Sequence, residues 1–168
     1  GSLSMDAAGN VFLSGTYNGT ATFDSASLPD SGLGDFYIAK FVSNGTFLWA
    51  RRGGHTNSDF ASDIAVQPGG SNVFVAATFY GASTIVGTYT LTSGMNFGNQ
   101  IHVSKWTTDG TFVWAKAATG TNISTNSKFG ADATGNAYWV GGFTGIANFG
   151  GGITLTSSPP NPGNTFVA

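Results

Sequence analysis

The feature that most constrains this chain is an internal repeat of 62 to 65 residues. Gly9-Asn10-Val11-Phe12-Leu13, Ser71-Asn72-Val73-Phe74-Val75 and Gly135-Asn136-Ala137-Tyr138-Trp139 align with asparagine spacings of 62 and 64. Gly19, Gly81 and Gly145 keep those spacings, and Phe23, Ile85 and Phe149 each follow four residues later. A second block recurs in register at 35–40, 100–105 and 164–168, and a third at 45–51 and, 65 residues on, at 110–116. A period of this size means that one small unit is built several times and stacked, because such a unit cannot bury its apolar surface alone. The copies divide the chain into repeats at 1–58, 59–124 and 125–168, the third without its last strand.

Each repeat carries four short apolar runs, which in the second copy fall at 63–67, 73–79, 101–106 and 112–117. Stretches rich in Gly, Pro and Asp bound them and read as turns. Thr107-Thr108-Asp109-Gly110 and Val42-Ser43-Asn44-Gly45 join the third run to the fourth, and Asp-Gly and Asn-Gly signal hairpins because both residues tolerate positive φ. Composition agrees: the chain has no Glu, 21 Thr and 26 Gly, so it is depleted in helix formers and enriched in strand and turn residues. The long connector at 80–100 holds Thr88-Tyr89-Thr90-Leu91-Thr92, echoed at 153–156 and near Leu28, which predicts an extra surface hairpin between the second and third strands. The expected fold is all-β, tandem four-stranded antiparallel blades of a β-propeller with about two and three-quarter repeats present. Face-to-face stacking should leave an open sheet edge at the third blade and an uncovered apolar face at each end.

The succession Ile64-Ala65-Val66 to Asn72-Val73-Phe74-Val75, then Ile38-Ala39-Lys40 or Val103-Ser104-Lys105, then Leu48-Trp49-Ala50 or Val113-Trp114-Ala115, resembles the bacterial β-propeller repeats called SBBP repeats. The resemblance covers nearly the whole chain and implies extracellular propeller blades in large secreted or surface-attached proteins. Its motif carries structural residues only. The chain departs from it in its longer connectors and at Gln67-Pro68-Gly69-Gly70-Ser71, where the other copies have Asp6-Ala7-Ala8-Gly9 and Asp132-Ala133-Thr134-Gly135.

Charge narrows the function classes. Only 8% of residues are charged and the net charge is -2, which leaves no basic stripe for phosphate contacts and argues against nucleic acid as a partner. No apolar run reaches the roughly 18 residues of a membrane helix, so no membrane insertion is expected. The absence of cysteine leaves the compartment open, while low charge and Thr/Asn/Gly-rich loops favour an extracellular or cell-surface location. The start at Gly1-Ser2-Leu3 points to a mature or excised segment. Sequons at Asn18, Asn44 and Asn122 are no more than chance supplies in a chain this rich in Asn and Thr.

Trp49 and Trp114 share a repeat position, which reads as packing between repeats, with sugar stacking as the alternative. Both are expected to be largely buried. Trp139 stands in the register of Leu13 and Val75 and Trp106 in that of Phe41; both read as core, with exposure on a binding surface the alternative for Trp106. Tyr17, Phe79 and Phe143 also share a register and read as packing. Asp6 and Asp132 are expected to bond backbone amides in a tight turn; calcium is the alternative, but no Asp-x-Asp-x-Asp-Gly series is present. His55, Asp59 and Asp63 form the one cluster of titratable side chains, read as a polar loop rather than an acid/base pair. His102 falls where Tyr37 and Phe166 sit in the other copies and reads as half-buried packing.

Two histidines without cysteine do not make a three-ligand zinc site unless carboxylates join them, and with no Glu a glycosidase would have to draw both carboxylates from turn aspartates. No catalytic, cofactor or metal residue is therefore assigned, and an enzyme is not expected. The expected function is a structural or adhesive module of a larger secreted or surface-displayed bacterial protein, with further blades or neighbouring subunits as partners. A carbohydrate-binding propeller is the alternative, with glycans as its ligands.

Overall fold

A computed structural model describes residues 1–94, 98–123, 128–157 and 164–168, with only the backbone at 121 and 122. The boundary placed between 124 and 125, and the Asn122 sequon with its Ser124, lie outside the described residues. Within them the chain is all-β and contains no helix.

The first copy forms β1 (Ser2–Met5), β2 (Val11–Tyr17), β3 (Thr20–Phe23), β4 (Ala26–Pro29), β5 (Asp35–Phe41) and β6 (Phe47–Gly53). The second forms β7 (Asp59–Val66), β8 (Asn72–Tyr80), β9 (Ser83–Val86), β10 (Tyr89–Thr92), β11 (Asn99–Thr107) and β12 (Phe112–Ile123). The third forms β13 (Lys128–Ala131), β14 (Ala137–Gly150), β15 (Ile153–Thr156) and β16 (Asn164–Val167). Within each copy the main strands make an antiparallel meander: β1-β2-β5-β6, β7-β8-β11-β12 and β13-β14-β16.

The register repeats with the sequence. Leu13 faces Ala39, Val75 faces Ser104, and Trp139 exchanges both backbone hydrogen bonds with Ala168 at 2.8 Å. Even the irregularity recurs, as a bulge at Lys40/Phe41 against β6 and at Lys105/Trp106 against β12. The extra hairpins sit between the second and third main strands, as β3-β4, as β9-β10 and as the far end of β14 with β15.

The meanders are not separate four-stranded sheets, as the sequence reading had them. β12 runs on past Ala118, and its segment from Thr119 to Ile123 pairs with β14 of the third copy, while Gly53 of β6 pairs with Val86 of the β9-β10 hairpin. The pairings therefore link into a six-stranded and an eight-stranded sheet, a barrel-like and nearly closed arrangement. Glycine, threonine and asparagine in these extensions carry no apolar alternation, so only the neighbouring copy makes them strands.

The core lies between copies. Val73, Val75 and Ala77 of β8 join Phe12, Phe36, Ile38 and Trp49 of the first copy, while Phe74 on the opposite face of β8 joins Trp139, Phe143 and Phe166 of the third. Successive side chains of a strand point to opposite faces, so a strand covered on both sides must be apolar throughout, as the run from Val73 is. The end face of the first copy is not fully open: over β5 and β6 its own β3-β4 hairpin roofs Ala39 and Ala50 with Leu28 and Phe23, leaving Leu3 and Met5 exposed at β1.

The Gln67 turn keeps the geometry of its counterparts despite one extra residue. Gln67 N–H donates to Asn72 O and Gly70 N–H to Gln67 O, as Asp6 does with Asn10 and Gly9 with Asp6. Two consecutive glycines at positive φ, Gly69 and Gly70, absorb the insertion.

Candidate functional site

Aromatic and cationic side chains converge where the second copy meets the first. Trp49 on β6 packs edge-on to Phe12 of β2, with ring centroids 6.2 Å apart. Lys40 Nζ stands 5.0 Å over the Phe12 ring and the Arg51 guanidinium 5.5 Å over Trp49. Into this set comes the turn of residues 107–110. Lys40 Nζ and Trp49 Nε1 both donate to Thr108 O, at 3.0 and 3.3 Å, and Arg51 Nε donates to Gly110 O at 3.0 Å. A Cβ on Gly110, whose φ is +86°, would stand 2.9 Å from the Trp49 ring, so the backbone reaches the indole only because no side chain is there. Trp49 is 9% exposed.

The second copy builds the same set with Phe74, Lys105, Trp114 and Lys116. Phe74 and Trp114 centroids are again 6.2 Å apart, and Lys105 Nζ is 5.4 Å over Phe74. Among the described residues, however, no turn covers it and nothing accepts from Lys105 Nζ, Trp114 Nε1 or Lys116 Nζ. A groove of about 360 Å³ lies there instead, lined by Trp114, Trp139, Phe129, Phe149, Ile153 and Ala168 among others. Trp114 is consequently less buried than Trp49, although it still packs against the core of the second and third copies.

The other residues singled out in the sequence fall in separate places. Asp6 and Asp132 cap tight turns: Asp6 Oδ1 accepts from Ala8 and Asn10 N–H at 3.0 and 2.9 Å, and Asp132 Oδ1 from Thr134 and Asn136 N–H at 2.9 Å each. The side-chain amides of Asn10 and Asn136, each donating to the other carboxyl oxygen at 2.8 Å, together with these backbone bonds hold both carboxyls below the usual range. Trp106 is buried, edge-on to Phe112, and donates to Ser104 Oγ at 3.0 Å. Trp139 is buried against Phe166, facing the second copy as Val75 faces the first. Phe79 and Phe143 are buried and Tyr17 half-buried.

His55, Asp59 and Asp63 do not form one cluster. Asp59 accepts from the His55 main-chain N–H at 3.0 Å and from Thr84 Oγ1 at 2.5 Å, while the His55 ring lies beside the Thr56 hydroxyl. Asp63 instead joins three copies: one oxygen accepts from Ser2 Oγ at 2.6 Å and the other from Phe129 N–H at 3.1 Å. Among the described residues no three His, Cys, Asp or Glu side chains gather as metal ligands.

His102 is fully buried rather than half-buried, between Phe36 and Phe79 with centroids at 5.4 and 6.1 Å. Burial pushes its pKa down to about 3, which keeps the ring neutral. Its counterparts explain its identity. Tyr37 lies over Gly15 and Phe166 over Gly141, and a Cβ on either glycine would stand 2.7 Å from the ring; His102 lies opposite Ala77. The smaller ring accompanies the larger partner.

Sequence reasoning missed Asp35. It is buried, its Oδ2 takes Ser31 N–H at 3.0 Å and Arg52 at 2.9 Å, and its Oδ1 has no partner among the described residues. Burial raises the Asp35 pKa, and burial with the nearby Asp35 charge pushes Asp59 up to about 6. The available signal was the polar residue at one register position near the start of every third strand, namely Asp35, Gln100 and Asn164; Gln100 caps Gly120 on both its N–H and C=O.

No family model matches this chain, and no curated protein matches it significantly.

Proposed function

We propose that this chain is a stacking segment of a β-propeller of the SBBP type, a non-catalytic structural or adhesive module of a secreted or surface-displayed bacterial protein. Its partners are further repeats of the same polypeptide or neighbouring subunits. The observation that carries the reading is the Trp49 set filled by the turn of the following copy, with an equivalent set rebuilt 65 residues later around Trp114. The polar contacts of the Trp49 set thus serve the join between copies. A surface of this kind is extended copy by copy until the ring of blades closes, which suits a scaffold.

Light scattering over a range of concentrations tests the reading. The mass should rise above the 17.2 kDa of one chain as copies associate. A monodisperse 17.2 kDa species at every concentration refutes it, and saturable binding on a glycan array would replace it with the carbohydrate-binding reading.

A further inference from the structure

The groove over Trp114 and the outer edge of β16 adjoin, since Ala168 lines the first and directly follows the second. Among the described residues β16 pairs with β14 alone, so its other edge offers unpaired main-chain groups. The chain itself displays what fits such a pair of surfaces. In the second copy β11 pairs on its outer edge with β12, and the turn leading into β12 seats on Trp49.

We propose that the Trp114 groove and the β16 edge form one acceptor site for an extended segment led by an Asx-Gly turn, the turn seating on Trp114 and the strand pairing along β16. The inference rests on the stacking reading above and names its contact. The occupant has the chemistry of the repeat's own fourth strand: Asp or Asn, then Gly, an aromatic two residues after the Gly and Trp four after it, as at Gly45-Thr46-Phe47-Leu48-Trp49 and Gly110-Thr111-Phe112-Val113-Trp114.

Donor and acceptor chemistry select that occupant. Lys105, Trp114 and Lys116 present only N–H donors, so they call for acceptors, and over Lys40, Trp49 and Arg51 the main-chain carbonyls Thr108 O and Gly110 O fill that part. The indole face accepts backbone only where glycine removes the Cβ. By register with β11 and β12, Phe166 should face the residue equivalent to Ala117 and Val167 that equivalent to Lys116. This is strand addition, in which the ladder supplies affinity and side-chain pockets supply specificity.

The test uses a fluorescent peptide copying residues 107–118, titrated into the full chain and read by anisotropy. Saturable binding is expected, weakened by about tenfold or more when Trp114→Ala is made in the chain or when the peptide glycine matching Gly110 is replaced by Val. Lys116→Ala, at an exposed side chain, should weaken it by a few fold. If Trp114→Ala does not fold, the peptide glycine and Lys116→Ala carry the test. No saturable binding up to about 1 mM, binding indifferent to the peptide glycine, or displacement by an oligosaccharide each overturns the proposal. Failure here with a scattering mass that still grows removes this seat and leaves stacking. A monomeric chain that binds the peptide does the reverse.

Discussion

Trp49 donates its indole N–H to the main-chain carbonyl of Thr108, 59 residues further along and in the next copy of the repeat. A tryptophan that looks like ordinary core in the sequence is thus a polar receptor as well as an apolar surface. The asymmetry between Trp49, covered by a turn, and Trp114, facing a groove, gives controlled comparisons inside one molecule.

Gly45 and Gly110 occupy equivalent turns with φ of +88° and +86°, but only Gly110 lies against a ring; nothing stands within 4 Å of a Cβ at Gly45. Gly45→Ala should therefore cost only the left-handed backbone penalty of about 1 to 2 kcal/mol. Gly110→Ala adds the clash with Trp49, a further amount on the order of 1 to 3 kcal/mol. Urea unfolding of the two variants measures the difference; equal losses would mean that the turn does not press on the indole.

Trp49→Ala should destabilise the chain by about 3 to 5 kcal/mol, the range for deleting a buried large aromatic. Trp114→Ala should cost roughly half as much, because part of its ring is already in water. Denaturant midpoints at unchanged slope decide this, and a Trp114 loss equal to that of Trp49 would contradict the open groove.

His102→Phe should be destabilising by about 1 to 3 kcal/mol through overpacking on Ala77. Adding Ala77→Gly recreates the pairs Tyr37 over Gly15 and Phe166 over Gly141, so the double variant should recover stability although glycine alone weakens a strand. A double-mutant cycle with a coupling near zero would show that ring size and partner size are independent.

Acid should act on Asp59 and His102 in opposite directions. Asp59 binds its proton more tightly folded (about 6) than unfolded (3.8), so its contribution is full below about pH 3.8 and is lost as pH rises through 6. His102 has a folded value lowered to about 3 from 6.5, so its contribution is present above pH 6.5 and is lost as pH falls towards 3. Between pH 4 and 6 the two slopes oppose. Relative to the parent, Asp59→Asn should make the melting temperature fall more steeply on acidification, and the His102→Phe/Ala77→Gly double variant should make it fall less. Parallel melting curves across that range for all three proteins would refute both assignments.

The repeat, the strands within it, the Asx-Gly turns and the extra hairpins were legible in the sequence because each rests on local chemistry. Apolar runs of strand length, glycines that permit positive φ at residues 45 and 110, and aspartates that cap turns at 6 and 132 act over a few residues. The extension of β12 to Ile123 was not legible, since that glycine- and threonine-rich stretch becomes a strand by pairing with β14 of the next copy. Nor was the burial of Asp35 beside Arg52, which depends on β5 and the end of β6 coming together with the loop at Ser31.

By itself, the sequence determined that Trp49 and Trp114 are equivalent, with Phe12 and Phe74, Lys40 and Lys105, and Arg51 and Lys116 beside them in register. Only the tertiary structure decided that they differ. Side-chain period and turn type follow from neighbouring residues, but which carbonyl reaches which indole depends on how one copy is rotated and offset against the next. That placement is set by the whole buried face between copies, from Phe12 and Ile38 to Val73 and Trp106, and not by the sequence around Trp49 alone.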